Sequence, residues 1–159
     1  MNKNPNILLL NTFSKKIEFA YNKKGDFCIL KELDESKNAD DLVLEIKTKF
    51  DEQGLCFQEI DYVGFVNGPG SYTGLRVGSA IVKAICYATA SELAEVHTLD
   101  LISSKYYEGY PTEERKVIPL LFSNMKTEEF YYAVYKERKR ITEYSIAVIK
   151  EIVKIEGII

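Results

Sequence analysis

The segment Asn67-Gly68-Pro69-Gly70-Ser71-Tyr72-Thr73-Gly74-Leu75-Arg76-Val77-Gly78 joins two elements of different periodicity. Before it, Ile60, Tyr62, Val63, Phe65 and Val66 spell a strand over Ile60–Asn67. After it, Leu75–Ala90 reads as a helix. Phosphate loops often occupy such a junction, so two patterns are tested against it. A P-loop requires GxxxxGK[ST], but five residues separate Gly68 from Gly74, three separate Gly70 from Gly74, and Leu75 stands where the lysine belongs. The dinucleotide fingerprint GxGxxG begins at Gly68-Pro69-Gly70 and ends on Thr73 instead of glycine. Both patterns fail. The local chemistry favours a tight strand-to-helix turn: Gly68 and Gly70 allow close backbone approach, Pro69 stiffens the link, and Ser71 or Thr73 caps the helix. The alternative is an anion held at the helix N-terminus with Arg76 one turn in.

The helix itself is too apolar for one buried face. Leu75, Val77, Ile81, Val82, Ile85 and Tyr87 cover much of its circumference, and small residues recur at fours: Gly74 and Gly78, then Ala80, Ala84 and Ala88. One side covers a sheet; the other is either covered within the chain or held for a partner, and a subunit interface is favoured, with the small residues permitting close approach of another helix. The sequence-based interface is therefore Leu44, Gly74, Leu75, Arg76, Gly78, Val82 and Lys83, with Gly68, Pro69, Gly70, Ser71 and Thr73 as the signature loop.

Working outward, Asn6–Thr12, Lys16–Tyr21 and Phe27–Leu33 read as three adjacent strands, with a turn at Lys24-Gly25-Asp26. A helix follows, with Asn38 as N-cap, Asp40 and Asp41 in its first turn, and Leu42, Val43, Ile46 and Phe50 as its apolar stripe. Glu45 and Lys49 are spaced for an ion pair, and Leu44 lies off the stripe as a second contact. Leu93–His97 is a short strand and Leu99–Tyr107 a helix. The order β-β-β-α-β-α-β-α over 1–107 implies a mixed sheet flanked by helices. Strands are expected at Val117–Ser123, Phe130–Lys136 and Ile141–Lys150, giving a second, β-rich lobe over 108–159, with Lys136–Arg140 a solvated turn. The tyrosines between Tyr106 and Tyr144 are read as sheet packing, with base stacking as the alternative.

Composition excludes several functions. The chain has 159 residues, 46% hydrophobic and 28% charged, with a net charge of 21 − 24 = −3. That is ordinary globular composition, and its acidity argues against nucleic-acid binding by charge alone. Cys28, Cys56 and Cys86 form no CxxC and are expected to be reduced, buried thiols in a cytoplasmic protein. No apolar run suits a membrane span. With His97 as the single histidine, HExxH and two-histidine metal sites are excluded. His97 lies near Asp100, Ser103 and Ser104, but is read as a polar strand end, not a triad member.

Gly68–Gly78 resembles the GPGSFTGLRIG signature of the TsaB (YeaZ) family, which takes part in forming threonylcarbamoyladenosine in tRNA. Ile7–Thr12 resembles the family's first strand, Val96-His97-Thr98-Leu99 its V-x-T-L segment, and Asn124–Tyr135 the start of its second lobe. The resemblance implies an α/β, actin-like (ASKHA, ribonuclease H-like) fold with a truncated second lobe. It also implies a non-catalytic subunit that binds a TsaD-type catalytic protein through helices Asn38–Gln53 and Leu75–Ala90 and forms a homodimer when alone. A TsaE-type ATPase joins the larger complex, and tRNA is held through the complex. No cofactor, metal or membrane is implied for this chain. Asn11 stands where actin-like ATPases place a carboxylate, Asn38 where relatives carry a histidine, and the peptidase M22 label attached to the family has no ligands here. The rival readings are an actin-like ATPase or kinase and a stand-alone homodimeric binding module.

Overall fold

Alternating and continuous apolar runs build the first half of the chain into a sheet covered by helices. The computed structural model describes residues 4–14, 16–33 and 39–155. Packing divides it into two compact units, Met1–Val96 and His97–Ile159.

In the first unit, β1 (Ile7–Asn11) pairs antiparallel with β2 (Ile17–Lys23), which pairs antiparallel with β3 (Asp26–Leu33). β1 also pairs in parallel with β4 (Tyr62–Gly68), and β5 (Glu92–His97) closes the order β3-β2-β1-β4-β5. A parallel pair requires a crossover, here supplied by α1 (Ala39–Glu52) and a short 3-10 turn at Phe57–Glu59. α2 (Tyr72–Thr89) links β4 to β5. Leu8 and Leu10 of β1, Phe19 and Tyr21 of β2, and Val63 and Phe65 of β4 share one core with Leu42, Ile46 and Phe50 of α1 and Ile81 and Val82 of α2. This is the mixed sheet flanked by helices that the strand and helix order implies.

The expected cap at Asn38 lies outside the described residues. Lys49 reaches Glu52 at 2.5 Å, and Lys47 makes the i,i+4 pair with Asp51. The expectation of buried thiols is corrected for two cysteines: Cys28 and Cys56 are exposed, and only Cys86 is partly covered. Cys28 sits on β3, at the end of the sheet order, where one side of the strand has no sheet neighbour among the described residues.

The second unit starts before α3 (Thr98–Gly109), where the sequence places the division after it. The reason is packing: Leu99 and Tyr107 of α3 are buried with Ala133 and Tyr135. β6 (Leu120–Asn124), β7 (Glu129–Tyr132) and β10 (Ser145–Val148) form an antiparallel sheet in the order β10-β7-β6. The expected strand Phe130–Lys136 breaks after Tyr132, and Tyr135 and Lys136 instead start a separate hairpin, β8 (Tyr135–Lys136) with β9 (Lys139–Arg140). The last expected strand is shorter than its alternation suggests and turns into α4 (Ile149–Ile155).

Candidate functional site

The signature loop is a packing device. β4 ends at Gly68, whose φ of +108 is a conformation L side chains rarely adopt. The Gly68–Pro69 bond is cis. Ser71 is the N-cap of α2, and its Oγ accepts from the Gly74 amide at 3.2 Å; Thr73 lies inside the first turn. The Ser71 amide donates to the Phe13 carbonyl at 2.7 Å. A side chain at Gly70 would meet that carbonyl at 2.6 Å, one at Gly74 would collide with the Thr12 carbonyl, and one at Gly78 with Thr12 Oγ1 and the Phe65 ring. Thr12, fully buried, donates through Oγ1 to the Gly74 carbonyl at 2.8 Å. The glycines therefore lower the first half of α2 onto the end of β1.

That placement turns three of the expected interface residues inward. The close approach at Gly74 and Gly78 is made to Thr12 of the same chain, and Val82 is buried in the core beneath α2. Leu75 packs against the same core. Arg76 and Lys83 remain exposed on the outer side, and Leu44 is exposed on α1.

The second small-residue row faces outward. Ala80, Ala84 and Ala88 face a groove of 680 Å³ between α1 and α2, completed by Val43 and Lys47 of α1 and by Gln58. Val43 is 50% exposed and Leu44 62%, so the outer edge of α1 presents apolar surface to solvent. Beside the groove, Tyr72, Ser79, Arg76 and Lys83 line a shallower cleft of 460 Å³, and the Arg76 guanidinium lies 5.4 Å from the Tyr72 ring centre. Val43, Lys47 and Gln58 line the groove and are absent from the sequence-based set. A signal for Val43 is present in the pattern, since the stripe Leu42, Val43, Ile46, Phe50 is wider than one core face needs.

At the junction the Asn11 carboxamide is committed to its neighbours. Asn11 holds Glu18 through Nδ2 at 2.7 Å and accepts from the Phe13 amide at 3.2 Å. With Gly70 and Gly74 closed onto Phe13 and Thr12, the space beside β1 is filled by backbone.

A second cluster lies within the second unit. His97 caps α3, its Nδ1 accepting from the Leu99 amide at 3.2 Å. Its ring stacks on Tyr144 at 3.5 Å, and Arg140 lies 4.1 Å from the centre of the same Tyr144 ring. Asp100 accepts from the Tyr135 and Tyr144 hydroxyls at 2.5 and 2.6 Å. Burial and the Asp100 charge hold the Tyr144 phenol up at about 12 and push Tyr135 further in the same direction. A triad needs the imidazole Nδ1–H to donate to the carboxylate; here Nδ1 is an acceptor and the carboxylate is committed to two phenols. The cluster is a structural knot that ties α3 to the β8–β9 hairpin.

Burial, helped by Arg140 and opposed by Asp100, holds the His97 imidazole below its ordinary range. A base with a folded pKa below its unfolded value gives stability that is present above the unfolded pKa and lost as pH falls. Stability of the second unit is therefore expected to fall as the pH drops below the ordinary imidazole value of about 6.5. His97→Asn keeps an N-cap acceptor that does not titrate. It should flatten this slope in thermal melts, whatever the baseline loss from the missing stack; an unchanged slope would assign the titration elsewhere.

Comparisons with known proteins bear on the family and the fold. Residues 33–159 match the family model described as TsaD: tRNA N6-adenosine threonylcarbamoyltransferase. The chain is 27% identical over 98 residues to the tRNA threonylcarbamoyladenosine biosynthesis protein TsaB of Buchnera aphidicola, covering 60% of this chain and 42% of that one. To the TsaB protein of Haemophilus influenzae it is 23% identical over 138 residues, covering 87% and 57%. It superposes on YeaZ from Pseudomonas aeruginosa with a TM-score of 0.73 at 19% identity, over 89% of this chain and 66% of that one; this likeness speaks to the fold. The chain spans about half the length of the curated relatives it matches. Among the described residues, no helix is long and apolar enough to cross a membrane.

Proposed function

The chain belongs to the family described as TsaD: tRNA N6-adenosine threonylcarbamoyltransferase and within it is a TsaB/YeaZ-type member, and from this premise we propose that it acts as a non-catalytic subunit in the formation of threonylcarbamoyladenosine in tRNA. It docks a TsaD-type catalytic subunit through the outer faces of α1 and α2. The groove along Ala80, Ala84 and Ala88 carries this reading, because a row of small side chains at helical spacing lets another helix approach closely. Val43 and Leu44 supply exposed apolar surface at its edge. Arg76 and Lys83 have no acidic partner among the described residues and suit a partner with carboxylates at the rim of its interface. When the catalytic subunit is absent, the same face pairs two copies of this chain. A TsaE-type ATPase completes the assembly in the cytoplasm, and tRNA binds to the whole.

The absence of a catalytic role is supported by Asn11, whose amide is spent on Glu18 and Phe13 where an actin-like ATPase needs a free carboxylate. The transferase name of the matching family favours one rival, an actin-like nucleotide-using enzyme.

Mixing the chain with the TsaD-type protein of its own organism and measuring mass by size-exclusion light scattering tests the proposal. A one-to-one species, or its double, is expected. An unchanged homodimer beside a separate partner peak would sink it. Calorimetric titration with ATP decides the rival, which requires binding and turnover by the isolated chain.

A further inference from the structure

The hairpin β8–β9 breaks two rules of local design at once. Its register places Lys136 directly opposite Lys139. Directly opposed side chains share a face about 5 Å apart at Cβ, and like charges there repel. The two turn residues, Glu137 and Arg138, have φ of 51 and 65. Turns of this hand favour Asn-Gly or Gly-Gly, because a Cβ is penalised in that conformation. Conflict between local preference and observed structure concentrates at functional positions.

All residues from Lys136 to Arg140 are exposed. The other cations of the hairpin are engaged. Arg140 donates to the Thr142 carbonyl at 2.8 Å and stacks on Tyr144. Arg138 donates to the Tyr107 carbonyl at 3.4 Å and lines a cleft with Glu113, Glu114 and Glu137. Lys136 and Lys139 have no acidic partner among the described residues. The backbone bridge between Val117 and Tyr135 places Lys116 level with Lys136 on the neighbouring segment. Two lysines opposed across a short hairpin, whose Tyr135 is anchored on Asp100, form a fork that an anion with several oxygens would neutralise.

We infer that the Lys136–Lys139 fork grips the phosphodiester backbone of RNA. This rests on the tRNA reading above and deepens it: the chain contributes a contact of its own within the complex. The contact is with phosphate and carries no sequence information. The acidic net charge of the chain is compatible with it, because one rigid pair acts locally within a Debye length.

Unmodified tRNA, titrated by fluorescence anisotropy against the full chain alone and against its mixture with the TsaD-type subunit, tests the inference over about 50 to about 200 mM salt. The double variant Lys136→Glu/Lys139→Glu is expected to weaken binding about tenfold and to reduce the log–log salt slope by about 2, one for each phosphate no longer neutralised. Lys126→Glu/Lys154→Glu makes the same change in net charge elsewhere in the unit and should leave the slope unchanged. Unaltered binding in the first double variant, or equal losses in both, overturns the inference. So does loss of inorganic phosphate binding with tRNA binding intact, which would assign the fork to a free anion. Failure to form the complex would instead strike the functional reading, and the titration of the chain alone would still decide the fork. A melting readout is independent of RNA: Lys136→Glu alone should raise the melting temperature by about 2 °C, since it turns a repulsive pair into an attractive one. A fall would remove the conflict from which the inference starts.

Discussion

Gly74→Ala is expected to lower the melting temperature by about 10 °C, a loss of about 3 kcal/mol for a domain of this size. The added methyl has nowhere to go. It would collide with the Thr12 carbonyl, and that atom belongs to the backbone leaving β1, so a rotamer change cannot relieve the clash. Raising α2 to make room would stretch the 2.8 Å hydrogen bond from Thr12 Oγ1 to the Gly74 carbonyl and leave a fully buried hydroxyl unpaired. It would also pull the Ser71 amide from the Phe13 carbonyl. Overpacking and unpaired polar groups add because the same movement causes both. Thr12→Val separates the two contributions: it removes the hydroxyl with little change in volume and should cost only about 1 kcal/mol. A melting temperature for Gly74→Ala within about 2 °C of the parent would mean that α2 rides higher on β1 than in this structure.

The same packing explains what the residue pattern can and cannot reveal. The strands Asn6–Thr12 and Ile60–Asn67 and the stripe Leu42, Ile46, Phe50 are legible because burial on known periods dictates them. The two small-residue rows of α2 are visible as spacing, but spacing does not say which side of a helix meets its own sheet. Gly74 and Gly78 look like Ala80, Ala84 and Ala88 along the chain, yet the first row faces Thr12 and the second faces the groove. Only the register of α2 on β1, set by the Ser71 cap and Phe13, distinguishes them. The β8–β9 hairpin is hidden for a different reason. Phe130–Lys136 alternates well enough for one strand, but Val134 turns away to accept from Ile141 and to donate to Thr142 Oγ1. Such a break depends on partners several residues downstream, and no local propensity records it. Asp100 is equally opaque, because its two phenol donors arrive from positions 35 and 44 residues away.

The outward row supplies the converse of the glycine experiment. Ala84→Arg is expected to abolish association with the TsaD-type subunit, at least a hundredfold loss or about 2.7 kcal/mol, and self-association through the same face, while leaving the melting temperature nearly unchanged when parent and variant are compared at a dilution where both are monomeric. Ala84 is exposed and lines the groove, so an arginine there extends into solvent in the monomer. With a partner helix seated against Ala80 and Ala88, the same side chain would occupy the interface and bury a cation without a counter-charge. Size-exclusion light scattering of the mixture reads the loss, and a thermal melt reads the fold. Measuring both on Gly74→Ala and Ala84→Arg gives a crossed pattern: the first variant loses stability and keeps its docking face below its own melting point, and the second keeps stability and loses the partner. If Ala84→Arg still forms the complex, the α1–α2 groove is not the docking face; the apolar surface of Val43 and Leu44 would then require a different occupant, and the subunit reading would have to find another surface.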